Sequence, residues 1–351
     1  MPTPNRPQNY QHLVLPGIIT CGLLWAFSLL GFGLWQQLQQ TQPSPVSTEE
    51  RPSEYSTFRQ VDNVPSGRFK YGGSPDWSPI RLVVDSTIQS ERREYQLSYI
   101  QPKETQANTT TAIALLIQGK LDFVQSDRAL KSSELTQAQQ QGLTLKQTSV
   151  ATDGIAIAVH PSLPIQGLTL QQIADIYTGS ITNWTQVGGP NLEIKPFALS
   201  FESEGMLDLF LKQVMQGKSF SQQLDYFPNM TTALRKLADS PGGIFFGSAA
   251  EIVPQCTVKP LPVGPTSRRI APYQSPYIEP SDCPNPRNQI NTQAILNQEY
   301  PLTHPLYVIY ASNRDNTQAG EAYTQLLLSS QGQDLLSKAG FVKIAPSSPI
   351  Q

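Results

Sequence analysis

The residues of this chain best placed to hold a small polar ligand sit at three tips, each following a strand-like run. Ser74 comes after Gly72-Gly73 and before Pro75 in GGSPDWSPI. Ser is a good N-cap and Pro a good first helical residue, while two Gly permit a tight turn and close backbone approach. Thr109 and Thr110 lie in Asn108-Thr109-Thr110-Thr111, a second polar helix start. Asp127 closes the polar turn Gln125-Ser126-Asp127. Helix starts present free amides that favour an anion or an oxygen-rich ligand. Hydroxyls donate to its oxygens, and a carboxylate accepts from a protonated one. This chemistry is recognition. Read singly, each tip is equally an ordinary cap or turn.

Alternating strands and helices must position the tips. Residues 68–71 and 96–100 read as strands. The helix after Asn108 carries Ile113, Leu116 and Ile117 on one face and stops at Gly119. A short strand at 121–124 then delivers Asp127. Polar tips at the carboxyl ends of strands are what a parallel sheet with one ligand face produces. Further on, 154–159 reads as a buried strand. Residues 168–178 read as a helix with Thr169 as cap and Gly179 as stop, and 242–247 as a strand with its turn.

The chain has 351 residues, a net charge of −2 and 30 Pro. That length suggests two domains. No basic stripe or nucleic-acid signature is present, so nucleic acid is not an expected partner. Residues 13–35 contain no charge. They span about 34 Å as a helix, enough to cross a bilayer. No small-residue cleavage site follows, and Ile18-Ile19-Thr20 is a poor approach to Cys21 as a lipidated cysteine. The expectation is a retained anchor, with a cytoplasmic N-terminus at 1–12 and a disordered Gln-, Ser- and Pro-rich linker at 36–67. The folded body would then lie on the extracytoplasmic, periplasmic side. There Cys256 and Cys283 are the only exported cysteines and are expected to form a disulfide. His160 and His304 have no second ligand at metal spacing, so no metal and no cofactor is expected.

Several spaced segments resemble the phosphate-binding proteins of ABC importers. IAVHPSLPIQGLTLQQIADIYTGSITNW resembles the entry into their second domain. GGSPDWSPIR resembles their first ligand loop, and GKLDFVQSDRAL their third, where an Asp contacts phosphate. YPLTHPLYVIY and GQDLLSKAGFVKI resemble their closing strand and last helix. The resemblance runs from about residue 68 to 344. It implies an α/β, type II periplasmic-binding-protein fold, with two lobes joined by two crossing strands around a cleft. The first lobe would be 68–160 with 255–344, the second 161–254, and 345–351 a tail.

The second-lobe loop departs from that pattern. The family places an Arg there, then Ser-Gly-Thr opening a helix. Here Ser200 stands at the Arg, Glu204 at the Ser and Met206 at the Thr; only Gly205 matches. A helix is still expected over 206–214, and Glu204 at its start would interact favourably with the helix dipole. Glu204 could therefore occupy the anion position itself. Near Asp127 it would also repel a phosphate unless Arg128, Lys195 or another cation compensates.

The resemblance implies a membrane-anchored extracytoplasmic solute-binding protein of phosphate-importer type. It would bind a small oxyanion, phosphate or a related one, in the interlobe cleft. The binding residues would be Ser74, Thr109, Thr110, Asp127, Glu204 and Gly205. It implies a monomer with an ABC permease as a possible partner. The alternative is a tethered domain that has lost phosphate binding and serves as a sensor or scaffold. Asp127 and Glu204 could also be imagined as an acid/base pair, but no nucleophile and base accompany them, so no enzyme is expected.

Overall fold

A computed structural model describes residues 55–102, 107–200 and 204–344. The expected N-terminus, membrane helix, tail and most of the linker lie outside these residues. No described helix is long and apolar enough to cross a membrane. Within the span read as linker, Phe58 is already fully buried, and its amide donates to Gln331 Oε1 at 2.8 Å.

Among the described residues the strands are β1 (Gly67–Gly73), β2 (Tyr95–Tyr99), β3 (Phe123–Ser126), β4 (Leu145–Val159), β5 (Lys195–Leu199), β6 (Asp225–Phe227), β7 (Gly243–Ser248), β8 (Lys259–Leu261) and β9 (Thr303–Ala311). They form one mixed sheet in the order β2-β1-β3-β9-β4-β7-β5-β6, with β8 beside β4. β1 pairs in parallel with β2 and β3, and β5 in parallel with β6 and β7. A parallel pair needs a crossover, and the helix Thr109–Ile117 (α1) lies between β2 and β3 for that reason.

β4 is the spine of this arrangement. Its residues 145–154 pair antiparallel with β9, and 155–159 pair with β7 and β8. One strand thus belongs to both halves of the sheet. Sequence patterning marks only 154–159 of it as a strand. The earlier part mixes buried and polar residues, and the buried carboxylate of Asp153 accepts from Ser248 Oγ and from the Gly154 amide.

β3 also differs from its expected limits of 121–124. It continues through Gln125 and Ser126, polar residues that read as a turn but are fully buried. Each has partners that offset the loss of water. Gln125 Nε2 donates to Tyr323 Oη at 2.6 Å, and Gln125 Oε1 accepts from Arg81 at 2.8 Å. Ser126 Oγ donates to the Arg128 carbonyl at 2.5 Å.

Beneath these strand ends, Asp85 accepts from Tyr71 Oη at 2.7 Å and Tyr323 Oη at 2.6 Å. Burial pushes its carboxyl up to about 6, against the opposing pull of the two tyrosine hydroxyls. The network joins β1, β3 and the helix Thr317–Leu328, so the carboxyl ends of the strands rest on a fixed platform. At Gly73, φ is +147° and a Cβ would lie 1.9 Å from the Gln125 carbonyl oxygen. Only Gly allows β1 to approach β3 so closely there.

Cys256 and Cys283 are bonded, with Cα atoms 5.8 Å apart and a sequence separation of 27. By loop-closure entropy this crosslink contributes about 3 kcal/mol. Replacing both residues with Ser should lower the melting temperature by roughly 5–10 °C under non-reducing conditions. An unchanged melting temperature in calorimetry would show that the bond does not constrain the unfolded chain.

Candidate functional site

The site is assembled where β3 ends. Its strand delivers Asp127, fully buried, and then Arg128. α1 begins beside it because Asn108 caps the helix, accepting from the Thr111 amide at 2.8 Å. That cap leaves the hydroxyls of Thr109 and Thr110, and the Thr110 amide, free to face outward from the helix start. From the other half of the sheet, the helix Glu204–Phe210 (α4 below) brings Glu204 and Gly205. In the chain it comes after α2 (Ser132–Gln140) and α3 (Leu170–Thr178). Thr169 caps α3, and Gly179 ends it in the left-handed region, as the sequence predicts.

Two carboxylates meet at this junction, each with its own donors. Asp127 Oδ1 accepts from Thr109 Oγ1 at 2.6 Å, and Asp127 Oδ2 accepts from the Gly205 amide at 2.8 Å. Glu204 Oε2 accepts from Thr110 Oγ1 at 2.7 Å, from the Thr110 amide at 3.2 Å and from Arg128 Nε at 3.0 Å. Hydrogen bonds to charged groups contribute about 1.5–3 kcal/mol each. The pair is therefore strongly held despite its like charges.

Arg128 is what makes this possible. Its side chain is 7% exposed, and all five of its N–H groups are engaged. Nε donates to Glu204. Nη1 donates to the Ala129 carbonyl and to Glu134 Oε2, both at 3.0 Å. Nη2 donates to Thr110 Oγ1 at 2.6 Å and Glu134 Oε1 at 2.7 Å. Glu134 is fixed in turn, accepting from the Lys131 amide at the start of α2. Burial alone would lower the pKa of the guanidinium, but the bonds and charges of Glu134 and Glu204 outweigh it and raise the pKa above the ordinary value.

The two halves touch at backbone level here. A Cβ on Gly205 would lie 1.9 Å from the Asp127 carbonyl oxygen and 3.0 Å from its Cγ. Asp127 is also tied to the spine, because its carbonyl lies 3.1 Å from His304 Nδ1, and His304 stands opposite Asp153 in the β4–β9 ladder.

The structure thus gathers Thr109, Thr110, Asp127, Glu204 and Gly205 into one cluster. Ser74 is fully buried and performs its expected capping, accepting from the Asp76 amide at 3.2 Å, while its own amide donates to the Gln125 carbonyl at 2.9 Å. Ser200, at the family's Arg position, points its hydroxyl to the Phe227 carbonyl at 3.2 Å. The helix expected over 206–214 begins at Glu204 and becomes a π-helix at Leu211–Met215. Glu134 and His304 were not read as site residues. Glu134 does leave a signal, a lone acid three residues after Lys131, where it caps its own helix.

A family model described as a PBP superfamily domain matches residues 65–331. The chain belongs to the PBP superfamily. Its relatives include phosphate-binding protein PstS of Staphylococcus epidermidis, 24% identical over 282 residues, covering 79% of this chain and 78% of that protein. PstS of Pseudomonas aeruginosa is 25% identical over 253 residues, covering 68% of this chain and 72% of that protein. A putative phosphate ABC transporter substrate-binding protein from Clostridium perfringens, solved with bound phosphate, superposes with a TM-score of 0.63 at 22% identity. That match covers 80% of this chain and all of the other. An ABC-type phosphate transport receptor from Vibrio cholerae gives a TM-score of 0.59 at 21% identity, covering 79% and 100%. These likenesses establish the α/β architecture shared with that superfamily.

Ala normally stabilises a helix over Gly by up to about 1 kcal/mol. Gly205→Ala should do the opposite, destabilising the protein by roughly 1–3 kcal/mol as the new methyl forces α4 off Asp127. A melting temperature equal to or above wild type would show that α4 does not lie against Asp127.

Proposed function

We propose that this chain is a membrane-anchored extracytoplasmic solute-binding protein of phosphate-importer type, taking a small oxyanion between its two lobes. One observation carries the reading: the Thr110 amide, the Thr110 hydroxyl and the Arg128 guanidinium converge on a single anionic oxygen. A helix start with a hydroxyl and a buried guanidinium is a set of donors that suits carboxylate or phosphoryl oxygens. Ser74 would contribute from the first loop, as the resemblance implies, Thr109 stands beside Asp127, Asp127 accepts from a protonated ligand oxygen, and Glu204-Gly205 close the site from the second lobe. The relatives named phosphate-binding proteins support this class. It performs recognition without bond-making chemistry and hands its ligand to an ABC permease. The uncharged run at 13–35 is its anchor.

A second reading is favoured by the occupant of those donors, which is the protein's own Glu204. A tethered sensor or scaffold that has given up solute binding would have this arrangement permanently.

Thermal-shift titration of the full chain in mild detergent separates the two. Phosphate or sulfate at millimolar concentration should raise the melting temperature in a one-site manner, with little response to a neutral sugar. Thr110→Val should abolish the rise. A rise of equal size with the neutral solute, or one that survives Thr110→Val, would contradict the oxyanion site.

A further inference from the structure

The same donors point to a regulatory property, which rests on the oxyanion-site reading above. We propose that Glu204 is a built-in ligand: its carboxylate fills the anion position, holds the two halves together without solute, and must be displaced before an external oxyanion binds.

The contacts are those of a bound anion. One oxygen of Glu204 takes all three donors: the Thr110 amide, the Thr110 hydroxyl and Arg128 Nε. The side chain is 17% exposed and the Arg128 side chain 7%, so the pair is shielded from solvent. The contact joins sequence positions 76 apart, from opposite halves of the sheet. Beside it the Gly205 amide occupies Asp127 Oδ2, and the Gly205 backbone lies against the Asp127 carbonyl. No phosphate-sized space fits between Gly205 and Asp127 in this arrangement. An external oxyanion therefore competes twice, for the donors that Glu204 holds and for the gap that α4 fills.

Arg128 cannot serve Glu204 and an added anion together, because its remaining N–H groups are spent on Glu134, Ala129 and Thr110. The apparent affinity for solute is then reduced by the fraction of molecules in which Glu204 has withdrawn. This inverts the usual role of the ligand. Solute binding accompanies release of a contact that already closes the protein.

The test compares wild type, Glu204→Gln and Glu204→Ser as full chains in detergent, with inorganic phosphate as the probe. Calorimetry should give at least tenfold tighter phosphate binding for Glu204→Ser than for wild type, with Glu204→Gln between them. In parallel, a pair of fluorescent labels, one on each half of the sheet, should report a short separation for unliganded wild type that phosphate does not shorten. Unliganded Glu204→Ser should show a longer separation, shortened by phosphate. Wild-type affinity equal to or tighter than that of both variants would overturn the built-in ligand. So would a wild-type separation that closes only on adding phosphate. If none of the three proteins binds phosphate or sulfate while the label separation responds to Glu204 as described, the contact stands and the oxyanion-site reading fails.

Discussion

The arrangement depends on one buried cation. Asp127 and Glu204 approach each other from opposite halves of the sheet, and two carboxylates so placed repel unless each has its own donors. Arg128 resolves the conflict. It pairs with Glu204, anchors itself on Glu134 and steadies the Thr110 hydroxyl that also serves Glu204. Asp127 is left to the Thr109 hydroxyl and the Gly205 amide. Removing one partner of such a buried pair typically costs several kcal/mol, because the other charge is stranded. The contact of Glu204 with the first half of the sheet depends on keeping that guanidinium satisfied.

Arg128 can hold this place because what lies behind it is rigid. Gln125 and Ser126 are locked by Tyr323, Arg81 and the turn itself. Trp77 Nε1 donates to the Ser126 carbonyl at 3.1 Å, and Arg81 lies 4.4 Å from the Tyr99 ring centroid, which ties the first loop to the same strand end. On the far side, His304 and Asp153 carry the contact into β4, the one strand shared by both halves.

Much of this was legible in the sequence, for local reasons. Asn108 and Thr169 announce their helices because a short polar side chain can satisfy a free amide two or three residues on. Gly179 announces an end because Gly tolerates the left-handed region. The order of spaced motifs carried the superfamily. The limits of β3 and β4 escape the local pattern because Gln125 and Asp153 are satisfied by partners 198 and 95 residues away. The repulsion expected from charge alone is that of Asp127 and Glu204 on a phosphate, with Arg128 among the cations that could compensate. That Arg128 pairs with Glu204 itself is a matter of geometry, since the two lie 76 residues apart in the chain. Ser200 and Met206 mark the loop as divergent, yet the contact of Glu204 with the Thr110 and Arg128 donors becomes visible only when α1 and α4 are seen together.

The central claim is that Glu204 and Gly205 dock on the first half of the sheet in the absence of any solute. Amide hydrogen exchange in anion-depleted buffer tests it directly, at the Thr110 and Gly205 amides. Both are the first turns of helices, which exchange quickly when their amides are free. The account predicts strong protection at both amides in wild type, with protection factors near those of the core strands. Exchange of both at the rate of an exposed loop would contradict it.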